Sequence, residues 1–427
     1  MSQQNKGFWL PFTQMKDLGD VPEIVSGDGL YLSTKDNKKI MDCISSWWVT
    51  IHGHANPEIA KAIGEQAKKL EQVICAGFTH TNAEVLTEKL INILPEGLNH
   101  MFYSDNGSTA VEVGLKMAFQ YWKNKGDKNR NKFISFKNAY HGDTLGAMSV
   151  GGRSVFTDHF SELMFDTAYL DYPSTWIGDE NAETKEDAVI DKLDDLLQKE
   201  AAQIAGLIIE PLVQGAGGMN MIRPEFLKKI EEKLKKYQIP VIYDEVMTGF
   251  GRTGELFACL KAKTNPDIVC VSKGITGGFL PLAGTFCTDE IYNSFYSDDP
   301  LKTFFHGHSY TANPIGCAAG VESIRLLLEN KRFRDIEKQH YEEIKKIETN
   351  DKIGKIRICG TIMACEIKTG KGGYLDNAGK IMKKEFLNKG FLLRPLGNVL
   401  YILPPYCIKK EELSKIYDVI NEVVSSL

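Results

Sequence analysis

The sequence predicts an α/β protein, with a mostly parallel sheet joined to a smaller α+β unit. Three observations carry that expectation. The middle of the chain alternates short apolar runs with amphipathic helical patterns, as parallel strands joined by helical crossovers require. The last hundred or so residues mix short strand candidates with helices, and crossovers are less evident there. A length of 427 residues is enough for two domains and a large core.

Taken in order, apolar segments at 30–32 and 40–43 read as strands near the start. Buried-strand candidates follow at 101–104, 133–136, 206–210, 241–244, 268–272 and 284–287. Between them, the spacing predicts a helix over 109–122 with Val111, Leu115, Ala118 and Trp122 on one face. Another starts at Pro224, a residue suited to a first turn, with Leu227, Ile230, Leu234 and Tyr237 at helical spacing. The acidic segment 178–199 reads as a solvated surface helix. Further strand candidates lie at 356–367, 391–394 and 399–403. The expected division is a large domain over 50–325 and a small α+β domain made of 1–49 and 326–427.

Composition narrows the function. Hydrophobic residues make up 43% and charged residues 25%, and 51 basic against 56 acidic side chains leave a net charge of −5. That balance offers no electrostatic case for a nucleic-acid partner or an anionic membrane. The nine cysteines lack a C-x-x-C spacing, and Cys270 and Cys287 sit in apolar runs, so reduced thiols are expected. The first residues lack a signal-peptide layout, and no apolar stretch approaches the roughly 20 residues of a membrane span. These features predict a soluble, cytoplasmic protein. There is no internal repeat or low-complexity block.

The chemistry concentrates in four stretches. In VIYDEVMTGFGRTG, from Val241, an apolar run ends in Asp244 and Glu245, placing a carboxylate at the edge where open α/β sheets bind ligands. About thirty residues on, DIVCVSKGITGG ends a second run in Lys273. An aspartate and a lysine in one crevice suit pyridoxal 5′-phosphate (PLP): the amine holds the cofactor as a Schiff base, and the carboxylate keeps its ring nitrogen protonated. A helix cap and a surface lysine are the competing reading. In YSDNGSTAVEVGLKMA, from Tyr103, Gly107 and Ser108 open a helix and could hold a phosphate, or Ser108 could be an ordinary cap. In NAYHGDTLGAMSVGG, Tyr140 could stack on a ring or sit in the core. Gly249, Gly251 and Gly254 match a dinucleotide fingerprint literally, but the Asp-Glu pair separates them from their strand, which disfavours a nicotinamide oxidoreductase. The pairs His52/His54 and His306/His308 lack metal-ligand spacing, so no metal is expected.

Together the four stretches resemble the fold-type I, PLP-dependent aminotransferases that carry the subgroup III signature, over nearly the whole chain. The most specific parts are DEVMTGFGRTG and PDIVCVSKGITGG. The resemblance implies a seven-stranded, mostly parallel sheet in the large domain and ping-pong amino transfer through PLP. It assigns catalysis to Lys273, Asp244 and Tyr140. It assigns cofactor binding to those three with Gly107, Ser108 and Ser309, and it places Glu210 behind them. Ser309 stands where the family usually has threonine; its hydroxyl would reach the neighbouring subunit's cofactor phosphate, which implies a homodimer with shared active sites.

WLPFTQM (9–15), SSWWVTIHGH (45–54), NAYHGDTLGAMSV (138–150), IEPLVQGAGGM (209–219), HGHSYTANP (306–314) and RPLGNVLYILPP (394–405) resemble the members that aminate 8-amino-7-oxononanoate in biotin biosynthesis. That likeness makes Arg394 the partner of the acceptor's carboxylate, and Trp47 and Trp48 walls for its chain. Phe12, Asp143, Gly307 and Tyr401 fall on positions lining the substrate pocket, although a structural polar pair is the other reading of Asp143 and Tyr401. Phe12 stands where members using S-adenosylmethionine as amino donor typically have tyrosine, and HGHSYT differs from the usual HGPTF; both features resemble variants that use lysine. S-adenosylmethionine, the commoner donor, is placed first and lysine second. The rivals are another ω-aminotransferase of the subgroup, for ornithine or 4-aminobutyrate, and a PLP-binding regulator. The second would need a DNA-binding module that the chain lacks.

Overall fold

A computed structural model describes residues 7–17, 21–154, 157–368 and 377–427. The opening residues 1–6, on which the expectation of no leader partly rests, lie outside these.

The core is a seven-stranded sheet. Its spatial order is His100–Ser104, Ala283–Cys287, Ile268–Val271, Val241–Asp244, Ile204–Ile209, Lys132–Phe136 and Thr167–Leu170. Ala283–Cys287 runs antiparallel to both neighbours, and the remaining pairings are parallel. The central strands IAGLII, VIYD and IVCV are buried along their length, which is why they read as unbroken apolar runs. All six expected strands are present within a residue or two. The seventh, TAYL at Thr167–Leu170, was not foreseen at residue level: it is short, polar at one end and at the sheet edge.

Helices fill both faces. Gly107–Asn124 extends the expected helix by two residues at each end and buries Val111, Leu115, Ala118 and Trp122. Pro224–Lys236 starts on its proline and buries Leu227, Ile230 and Leu234. The acidic segment is the helix Ala182–Glu200, and it is not wholly solvated. Val189, Ile190, Leu193 and Leu197 face the core, and buried Glu186 meets the Arg223 guanidinium through two 2.7 Å contacts.

Outside the central sheet, the first and last parts of the chain meet. Strands Ile24–Asp28, Tyr31–Thr34 and Lys39–Asp42 form a four-stranded sheet with Phe391–Leu392, which pairs in parallel with Lys39–Asp42. A three-stranded antiparallel sheet joins Ile353–Cys359, Ile362–Ile367 and Val399–Ile402. The 356–367 candidate is therefore a hairpin, not one strand. Gly360, at φ 61°, turns it between Cys359 and Ile362. No helix among the described residues is long and apolar enough to cross a membrane.

Candidate active site

Three adjacent parallel strands, Ile204–Ile209, Val241–Asp244 and Ile268–Val271, end at one edge of the sheet. Glu210 follows the first, Asp244 closes the second in register with Cys270, and Lys273 lies two residues beyond the third. Sheet geometry thus gathers residues far apart in sequence. All three line a cavity of about 440 Å³, with Gly107, Ser108 and Tyr140. A second cavity, of about 750 Å³, includes Phe12, Trp47, Asp143, Arg394 and Tyr401 in its walls. Trp48, Tyr140, His141, Gly142 and Lys273 line both, so the two spaces adjoin at the lysine.

Lys273 holds φ at 44° at the start of a short 3-10 turn, an uncommon conformation that presents its side chain at that junction. Its ammonium nitrogen lies 5.1 Å from the Trp48 ring centroid. Burial pulls its pKa below the ordinary lysine range, with Asp244 and Glu210 pulling the other way. The Asp244 carboxylate is buried and doubly held. His141 Nδ1 lies 2.6 Å from one oxygen, and the Val246 amide donates to the other at 3.1 Å. His141, which sequence reasoning missed, is itself buried, and its Nε2 has no partner among the described residues.

Glu210 sits behind this pair. It accepts the Tyr140 amide at 3.0 Å and the Gly215 amide at 2.9 Å. Burial pushes its carboxyl up to about 7, with His141 opposing and Asp244 adding to the rise. The Tyr140 hydroxyl donates to Asp143 at 2.9 Å, and burial, then the Asp143 charge, raises its pKa. Asp143 in turn donates its amide to the Ser108 hydroxyl at 3.2 Å.

The helix Gly107–Asn124 is capped by Asn106, whose side chain accepts the Thr109 amide at 3.1 Å, while Thr109 Oγ1 accepts the Asn106 amide at 3.0 Å. Ser108 is therefore not the cap. The first-turn amides of Gly107 and Ser108 have no intrahelical acceptor, and both residues line the smaller cavity. A Cβ at Gly107 would come within 2.6 Å of Val246 Cγ1, so only glycine lets the backbone lie this close. Anion donors at one end, a held carboxylate, a lysine, and an aromatic in the wall fit a flat, phosphorylated, nitrogen-containing ring with a reactive carbonyl. PLP has those groups.

In the larger cavity the Arg394 guanidinium lies 4.5 Å from the Trp47 ring centroid, and Phe12 packs edge-on to Trp47 at 5.6 Å. Arg394 pairs with no carboxylate among the described residues. The Trp48 indole donates to the Tyr401 hydroxyl at 3.0 Å. Gly307 and Ser309 lie in neither cavity; both are exposed at the surface of this chain.

The literal dinucleotide motif has a different job. Arg252, inside GFGRTG, is buried and donates to the Pro404 carbonyl at 2.9 Å and the Trp48 carbonyl at 3.2 Å, fastening the tryptophan segment to the C-terminal part of the chain. Among the described residues, no group of three or more His, Cys, Asp or Glu is placed to hold a metal.

The family model described as aminotransferase class-III matches residues 19–424. A protein of Synechococcus elongatus is 50% identical over 98% of this chain and 98% of its own length, and it is named adenosylmethionine-8-amino-7-oxononanoate aminotransferase. A Geobacter sulfurreducens protein of the same name is 39% identical over 98% of this chain and 96% of its own length. Among solved structures, the like-named Methanocaldococcus jannaschii protein superposes with a TM-score of 0.91 at 34% identity, covering 98% of this chain and 97% of that one. A PLP-bound amine transaminase from an uncultivated Pseudomonas species gives 0.92 at 28% identity, covering 99% of both chains.

Proposed function

The chain belongs to the class-III aminotransferase family, and from that premise we propose that it converts 8-amino-7-oxononanoate to 7,8-diaminononanoate in biotin biosynthesis. It is a PLP-dependent transaminase. The observation that carries the substrate reading is the cavity of about 750 Å³ with Lys273 and Arg394 both in its wall, between Trp47, Trp48 and Tyr401. A nine-carbon acceptor with a ketone toward one end and a carboxylate at the other needs a reacting group, an apolar passage and a cation.

PLP supplies a reactive carbonyl and an electron-accepting ring. The chain's residues do the rest. Desolvation enlarges the neutral fraction of Lys273, whose Nζ can then act as nucleophile and afterwards take up and return a proton. Asp244, fixed by His141 and the Val246 amide, would hold a proton on the cofactor's ring nitrogen. Tyr140 would flank the ring, and Gly107 with Ser108 would bind the phosphate, all three lining the smaller cavity. Glu210 positions the Tyr140 segment through its amide. Arg394, steadied on Trp47, would orient the acceptor's carboxylate.

S-adenosylmethionine is the first choice of donor, as the relatives' names state for those proteins. Lysine is the second reading, because the ring at position 12 of the cavity wall carries no hydroxyl. Mixing the PLP-loaded protein with each amine separately distinguishes them. The donor changes the cofactor's visible absorbance and lets 8-amino-7-oxononanoate restore it; no change with either amine sinks the substrate reading.

We also assign residues 50–325 to the large domain and 1–49 with 326–427 to the small one, supported by the four-stranded sheet that unites the chain's two ends. A homodimer is supported by Ser309 lying outside its own cavities on a surface that also exposes Leu301, Phe305 and Tyr310. All nine cysteines are free, which fits a reducing compartment such as the cytoplasm.

A further inference from the structure

The two histidines of the HGH stretch have no part in the function above, yet both reach the phosphate-binding helix or the residue before its cap. Lys116 Nζ donates to His306 Nδ1 at 2.9 Å. His308 Nδ1 lies 3.1 Å from Asp105 Oδ2, a contact that is an ion pair when the imidazole is protonated and is not aligned as a hydrogen bond, and its buried Nε2 has no partner among the described residues. The His308 backbone is braced by Thr311, whose hydroxyl accepts its amide at 3.1 Å and donates to its carbonyl at 2.9 Å. Next to it, the Ser309 carbonyl accepts from Gln72 at 2.6 Å. This imidazole is therefore mounted on a fixed loop.

Asp105 lines the smaller cavity beside Asn106, Gly107 and Ser108. A carboxylate there is misplaced for a site that takes a phosphate dianion, because like charges in a partly desolvated wall repel. We propose that His308 is a positioning residue for the cofactor phosphate. It offsets and holds the Asp105 carboxylate, so that the Gly107–Ser108 amides meet the phosphate without that competing charge. In the same stroke it ties the loop bearing Ser309 to the helix that binds phosphate in its own chain. The inference rests on the reading that the Gly107–Ser108 turn takes phosphate.

The test titrates the cofactor-stripped full chain with PLP and, separately, with pyridoxal, which lacks the phosphate. His308→Gln should weaken PLP binding roughly tenfold, the scale of one lost interaction with a charged group, and leave pyridoxal binding unchanged. Asp105→Asn should bind PLP at least as tightly as the unaltered chain, and adding His308→Gln to it should cost little more. Equal losses for PLP and pyridoxal, or an undiminished His308→Gln effect in the Asp105→Asn background, overturn the proposal. If His308→Gln does not fold, Asp105→Asn alone decides: weaker PLP binding overturns it. Ser108→Ala separates the two readings. Should it fail to discriminate PLP from pyridoxal, the phosphate turn itself is wrong and the inference falls with it. Should Ser108→Ala discriminate while His308→Gln does not, only the role of His308 is lost.

Discussion

The Asp244–His141 contact, 2.6 Å long and buried, sets how the site responds to single substitutions. His141→Leu leaves the carboxylate with only the Val246 amide, so a loss of about 1–3 kcal/mol in stability, with slower turnover, is expected from thermal melts and steady-state rates. Arg394→Met should act on one substrate only. It should raise KM for 8-amino-7-oxononanoate on the order of a hundredfold with a smaller change in kcat, as loss of a charge-assisted carboxylate contact does. Glu210 gives a pH signature. Its carboxyl rises from 4.5 to about 7 in the folded chain, so the native state binds more protons than the unfolded one between those values. Stability from this group is therefore full below about 4.5 and declines as pH rises through about 7. In the cofactor-free chain, Glu210→Gln should flatten the melting temperature across that window; an unchanged slope would count against a buried, proton-hungry carboxyl. Lys273 and Asp244 were legible in the sequence because each ends an apolar run. His141 was not, since a histidine beside a tyrosine has no periodicity, and only the fold carries it to a strand end 103 residues away.

At the scale of elements, the helix Ala182–Glu200 shows what charge counting obscures. Its acidic surface dominates the composition, while Val189, Ile190, Leu193 and Leu197 lie on the hidden face. The Glu186–Arg223 pair that locks it to the Pro224–Lys236 helix is lopsided. Glu186 is 1% exposed and Arg223 36%. Removing the guanidinium strands a buried carboxylate with only Lys229 at 3.8 Å, whereas removing the carboxylate frees a cation that water can reach. Arg223→Ala should therefore cost roughly 2–3 kcal/mol, more than Glu186→Gln, in denaturant unfolding. The hairpin Ile353–Cys359 and Ile362–Ile367 was read as one strand because its turn lacks an Asn-Gly signature. Its sharpness comes instead from Gly360, where an added Cβ would collide with the Thr253 and Gly254 backbone. That packing is invisible in a local sequence window.

For the whole molecule, the dimer reading makes a mixing test informative. Lys273→Ala removes a function used in its own subunit, while Ser309→Ala removes one delivered to the neighbour. A hybrid of the two should carry one site with both defects and one with neither. Subunit exchange between the two variants should then yield more activity than either parent; no gain would show that Ser309 serves its own chain. The parallel core was legible because each buried strand is its own apolar run. The joining of the chain's two ends was legible through the apolar run at 40–43, which pairs with Phe391–Leu392, whereas Ile24–Asp28, a largely exposed strand with no apolar run, was not. That joining bears on synthesis. Met41 finds its neighbour in Phe391, so the edge formed by the first forty residues stays open until nearly the whole polypeptide has left the ribosome. The nascent enzyme thus spends most of its translation time with an unpaired strand that a chaperone, or another nascent copy, can reach.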